Sequence, residues 1–213
     1  MSRTLYADPV EQRSRLVDAF SKAAGEQGYD RIDIDTVALY AGLSADDFDA
    51  QFASVESALV AAQEAFLERL WLDIQNACCE AQTWPDKVRD SVGAVIDSLV
   101  EAAAIARVFA IEAPGASFAA AEGQFAALDL IAERLRDGRR LYPRAADLPA
   151  STERALIGGG VSIIAEHLLA EDPTAIPCLR AQLVELLLSP YLGEEEARRV
   201  AASGAGLESG SAG

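Results

Sequence analysis

Positive charge is scarce in this chain. Its 213 residues carry 18 Lys and Arg against 34 Asp and Glu, a net charge of −16. A balance of that sign opposes non-specific attraction to nucleic acid or to an anionic membrane, so any contact with phosphates needs a local basic face. Long apolar runs are missing too. None reaches the roughly 18 residues of a membrane span, and no charged-then-apolar leader opens the chain, which leads us to expect a cytoplasmic protein without membrane contact. Cysteine is limited to Cys78, Cys79 and Cys178. An odd number without metal-ligand spacing makes neither a disulfide framework nor a metal site. One histidine, His167, cannot hold a metal alone. No nucleophile is paired with a base by motif and no glycine-rich phosphate loop occurs, so neither an enzyme nor a bound cofactor is expected.

What is present is helix. Hydrophobic residues make up 51% of the chain and charged residues 24%, the profile of a packed globular protein. Ile32 to Phe52, IDIDTVALYAGLSADDFDAQF, predicts two short helices, Thr36–Ala41 and Ser44–Gln51. Gly42 stands at the break, where a left-handed backbone is cheap only for glycine. Ser44 follows as an N-cap, and Val37, Leu43, Phe48 and Phe52 can fill the space between the helices. This is a helix-turn-helix pattern. Its second helix carries Asp46, Asp47 and Asp49, with Asp30, Asp33 and Asp35 upstream against Arg31. A groove-reading helix normally faces phosphates, so these charges oppose the obvious use of the motif.

Around that motif, Val10–Gln27 predicts a supporting helix closed by Gly28, with Arg13 and Arg15 either touching phosphates or merely solvated. Ser54 caps a long helix to about Cys79 or Gln82, and Pro85 begins another whose buried face holds Val88, Val92, Val95, Ile96 and Leu99. Apolar helical character continues to Pro114-Gly115, with a possible break at Glu101–Ala104. Phe118 to Leu135 forms a further helix closed by Gly138. Arg134, Arg136, Arg139, Arg140 and Arg144 cluster around the next loop, where cations complement a helix C-terminus; an anion site is the alternative. Helices Ser151–Ala170, Pro173–Ser189 and Glu194 to about Ala202 complete an all-α chain. The expected domains are residues 1–53, a helix-turn-helix domain, and 54–203, a ligand-binding and dimerisation domain, with residues 204–213 as a disordered tail.

The segments AFSKAAGEQGY, TVALYAGLS and SVESAL with Phe52, and later ERALIGGGVSIIAEHLL and LLLSPYLGEEEARRVA, resemble the tetracycline-repressor (TetR) family of bacterial regulators. The resemblance implies a three-helix DNA-binding domain, a helical domain with an inducer pocket, and a homodimer formed through the last two long helices. Carried over by position, the implied DNA contacts are Arg13, Thr36, Ser44, Ala45, Asp47 and Gln51. The family usually has a small residue at Asp46, a small polar one at Asp47, tyrosine at Asp49 and lysine at Val55. Each replacement removes a phosphate contact or adds a carboxylate.

The implied pocket falls among Phe66, Trp71, Ile96, Phe109, Phe118, Phe125 and His167, with Trp84 nearby. Those aromatics also read as plain core, and His167 as a satisfied half-buried histidine. Cys78-Cys79 read as two small buried hydrophobes rather than a redox sensor. Gly158-Gly159-Gly160 costs about 1 kcal/mol per glycine inside a helix, which close approach of another helix can offset. With Ile164, Leu168, Leu179, Leu183 and Leu186, Gly160 therefore predicts a dimer interface. Two readings stand: a homodimeric regulator of operator DNA controlled by a small apolar effector, or a dimer of the same fold that binds a ligand or protein and has lost DNA.

Overall fold

The computed structural model of the chain describes residues 8–170 and 173–203. Among those residues all regular structure is helical. The N-terminal segment is α1 (Pro9–Gln27), α2 (Ile34–Ala41) and α3 (Ala45–Asp49). α1 starts on a proline, whose missing N–H is harmless in a first turn, behind Asp8, whose carboxylate accepts from the Val10 N–H at 3.0 Å. α2 begins before the expected Thr36 because Asp33 caps it, its Oδ1 accepting from the Thr36 N–H at 2.8 Å. Gly42 takes the left-handed conformation at φ 63° and ends α2. Val37, Phe48 and Phe52 are buried together with Leu16 and Phe20 of α1.

The long helix is α4 (Val55–Cys78). Ser54 and Ser57 cap its start reciprocally, each backbone N–H donating to the other's hydroxyl at 3.1 Å. Next come α5 (Trp84–Glu101), α6 (Ala103–Arg107), α7 (Ala113–Ala116) and α8 (Phe118–Arg136). Between α6 and α7 the chain makes a π turn, Val108–Glu112. Pro114 has no N–H to give the Ala110 carbonyl, and the Ala113 N–H reaches back to Val108 O, so the turn widens. After α9 (Thr152–Leu169), a 3-10 turn (Pro173–Cys178) leads to α10 (Leu179–Leu192) and α11 (Glu194–Ser203). α10 runs through Pro190 to Leu192, past the expected end at Ser189. The buried Tyr191 just beyond, with its hydroxyl bonded to Glu153, holds the last turn in place.

The chain forms two compact units, Met1–Leu67 with Ala104–Gln124, and Glu68–Ala103 with Phe125–Gly213. This differs from a division after residue 53. The first unit draws in the segment around the π turn because that segment completes its core. Val108, Phe109, Ala113 and Ala120 are buried there, Phe66 packs on Phe109 with ring centroids 5.4 Å apart, and Glu112 accepts from the Tyr29 N–H at 2.9 Å. The expected tail, residues 204–213, lies outside the described residues.

In the second unit α10 packs against α5, α9 and α11. Its polar anchor is Glu153 in the first turn of α9, fully buried, which accepts from Arg139 at 2.6 and 2.8 Å and from the Tyr191 hydroxyl at 2.8 Å. Burial alone would raise this carboxyl, but the bonds from Arg139 and Tyr191 outweigh it and hold the pKa down to about 2. Arg139 also donates to the carbonyls of Leu148 at 2.5 Å and Pro149 at 2.6 Å, and Arg136 to that of Ala150 at 3.2 Å. Much of the arginine cluster thus ties the Arg139–Pro149 loop down, which is the structural alternative to an anion site. Trp84 lies over Gly138, so closely that a Cβ there would overlap the indole, and packs tilted against Tyr191 with ring centroids 4.8 Å apart.

Candidate functional site

The second unit holds an open-sided cavity of about 800 Å³ between α4, α5, α8, α9 and α10. The volume is in the range of small-molecule sites. Its buried wall is apolar: Val88 and Val92 from α5, Leu135 from α8, Ile157 and Gly160 from α9, and Leu183 from α10. The wall fits its purpose because α5 repeats valine on one face and because Gly160 leaves room beside Leu183, whose Cδ2 would lie 3.5 Å from an added Cβ. The exposed lining residues form the rim, and there the chemistry changes. Lys87 and Arg134 bring cations, Gln75, Gln82 and Cys79 are polar or polarisable, and Arg134 lies 5.8 Å from the Trp71 ring centre. Asp137, also in the lining, is paired with Arg140. In a protein of net charge −16 with two lysines, Lys87 and Arg134 make the rim locally receptive to an anion.

Both tryptophans, Trp71 and Trp84, line this cavity. Of the seven residues expected to form a pocket, the structure brings Trp71 to it and places the others elsewhere. Phe66 and Phe109 belong to the first unit's core, and Ile96 is fully buried away from the lining. Phe118 and Phe125 stand 79% and 66% exposed on α8. His167 is half-buried, with Nδ1 2.9 Å from the Ile163 carbonyl and no place in the lining. The aliphatic wall was legible as helix faces, but spacing alone does not show which apolar face borders a void and which borders another side chain.

The turn between α2 and α3 is the second candidate. Ser44 accepts from the Asp47 N–H at 3.1 Å while Asp47 Oδ2 accepts from the Ser44 N–H at 2.9 Å, a capping box. Bonding to the Ser44 hydroxyl and then its backbone lowers the Asp47 carboxyl below the usual range. Asp47 is therefore part of the helix start, as is Ser44. Thr36 gives its N–H to Asp33, Ala45 and Gln51 are half-buried, and Asp46 and Asp49 stand exposed. The arginines of α1 have internal partners. Arg13 donates to Gln51 O at 3.2 Å and lies 4.4 Å above the Phe52 ring; Arg15 donates to Ala41 O at 2.5 Å. Residues 8–67 carry twelve carboxylates against four cations.

Of the expected interface residues, Gly160, Leu168, Leu179 and Leu183 are buried within the second unit, and Ile164 and Leu186 are half-buried. Gly160 and Leu183 serve the cavity wall. The open side of α9 is instead marked by Ala155, Gly158, Gly159 and Ser162, and a Cβ on Gly158 would meet nothing within 4 Å. Among the described residues no helix is long and apolar enough to cross a membrane, and no metal-ligand cluster occurs.

A scan of protein-family models finds no match, and neither does a search of curated proteins. Solved structures do match. The chain is similar to the fatty acid degradation regulator FadR from Bacillus halodurans at 17% identity and a TM-score of 0.71, over 83% of this chain and 94% of that one. It is similar to the transcriptional regulator FadR from Bacillus subtilis, solved in complex with stearoyl-CoA, at 17% identity and 0.64, over 84% and 98%. A TetR-family regulator structure from Rhodococcus sp. aligns at 18% and 0.62, over 82% and 95%. The architecture is that of the TetR-type transcriptional regulators.

Proposed function

We propose that this chain, built on the TetR-regulator fold, is a homodimeric transcriptional regulator whose second unit binds an amphipathic effector: an extended apolar chain with an anionic head. The observation that carries the reading is the cavity, with its aliphatic wall and a rim holding Lys87 and Arg134. Each buried methylene stabilises a bound chain by about 0.8 kcal/mol, while a head group paired to exposed cations adds little affinity and mainly sets orientation. The stearoyl-CoA in the Bacillus subtilis structure is a molecule of this kind. The test is fluorescence anisotropy on the DNA flanking the gene, at two salt concentrations, with and without palmitate or palmitoyl-CoA. The reading expects sequence-dependent binding that the ligand changes; binding that ignores every such ligand would refute effector control.

A second reading is favoured by the charge of the first unit. Asp46 and Asp49 are exposed on α3, and Arg13 and Arg15 give N–H groups to Gln51 O and Ala41 O. Phosphate contacts supply the sequence-independent part of DNA affinity, so a surface of this sign forfeits much of it. On this reading the dimer binds its ligand and acts on a protein instead. No DNA binding in the same experiment, even at low salt, selects it.

A further inference from the structure

Two cysteines lie in the cavity lining, and nothing in the proposed regulation uses them. Cys78 ends α4, half-buried, with Sγ 3.1 Å from the Ser91 hydroxyl; Ser91 in turn donates to Lys87 O at 2.7 Å. Cys79 is exposed at the rim, its thiol donating to Gln75 O at 3.2 Å. Trp71, Ile74 and Gln75 line the same cavity one and two turns earlier, so Cys78 and Cys79 continue one broad face of α4. Neither is in a disulfide. Two nucleophiles therefore face an apolar chamber that also holds Lys87 and Arg134. A weakly soluble apolar electrophile would be concentrated beside them, and proximity alone multiplies the rate of such a reaction.

Resting on the reading that the cavity is a ligand site, we infer that Cys78 and Cys79 form a covalent acceptor for an α,β-unsaturated carbonyl compound with a long apolar chain. The step is conjugate addition. A cysteine sulfur forms a bond to the β-carbon, the C=C π bond breaks, and its electrons pass to the carbonyl oxygen as an enolate. The thiol proton leaves through solvent or the Ser91 hydroxyl, and a proton is returned to the α-carbon. The net change is addition of S–H across C=C, with no oxidant or reductant. Lys87 and Arg134 favour the negative oxygen that develops on the way. The effector would then be sensed by a bond as well as by fit.

The test uses the full-length protein and trans-2-hexadecenal as probe, followed by intact and peptide mass spectrometry. Cys178, exposed and outside the lining, is the internal measure of unassisted reactivity. The inference expects adducts at Cys78 or Cys79 forming about tenfold or more faster than at Cys178, and slowed by saturating palmitate. The Cys78→Ser/Cys79→Ser variant should lose the fast adduct while the slow one at Cys178 is unchanged, and palmitate binding to the unsubstituted protein is followed by tryptophan fluorescence. Equal rates at all three cysteines, or rates that palmitate does not change although it binds, would overturn the covalent step and leave the cavity reading intact. Failure of palmitate to bind at all would overturn both.

Discussion

Glu153 has no exposed surface yet keeps its charge, because Arg139 and Tyr191 replace the water it lost. Its pKa of about 2 lies below the ordinary value, so its stabilising contribution is complete above pH 4.5 and is lost as pH falls toward 2. Glu153→Gln should destabilise the fold at pH 7, since it leaves the Arg139 charge without its counterion. It should also flatten the acid side of the stability profile. Urea midpoints of both proteins between pH 7 and 3 check this; parallel profiles would contradict it. Nothing in the sequence marks this residue, because acids are common in the first turn of a helix. Its partners, Arg139 and Tyr191, are distant in the chain. Gly42 and Ser44 were legible because the chemistry that fixes them is local: one left-handed residue and one cap.

At the level of the helix, α3 shows how a correct motif can carry a misread residue. Asp47 looked like one more repulsive carboxylate, but its place three residues after Ser44 makes it the returning half of the cap. Removing charge from α3 without weakening it therefore means changing Asp46 and Asp49 alone. Asp46→Asn/Asp49→Asn should raise DNA affinity, most at low salt, because exposed charges act over a Debye length of about 10 Å at 0.1 M. Asp47→Ala should instead loosen α3, seen as faster amide exchange in residues 45–49. Weaker DNA binding by the double Asn variant would mean that these aspartates accept hydrogen bonds from base edges. α8 shows a different limit. Its periodicity was plain, yet Phe118 and Phe125 turned out exposed, because period marks an apolar face and not its neighbour.

At the scale of the whole molecule, an apolar surface remains on the second unit. Leu72, Leu130 and Leu169 are 57%, 44% and 60% exposed, and α9 carries an open glycine side. We expect a homodimer by light scattering at micromolar concentration. Gly158→Arg should shift it toward monomer without loss of helical content, since a Cβ at Gly158 meets nothing within the chain. A dimer that tolerates Gly158→Arg places its interface elsewhere. Gly160→Leu asks a different question, because Gly160 borders Leu183 and the cavity.

The central claim is that the cavity takes an anionic amphiphile, and the protein carries its own reporters. Both of its tryptophans, Trp71 and Trp84, line that space. Titrating palmitate while following tryptophan emission should give a saturable change at one equivalent per chain. Affinity should fall about fourfold for each methylene removed from the ligand, and Gly160→Leu should weaken it further. An emission change that never saturates, or one indifferent to chain length and to Gly160→Leu, would contradict the account.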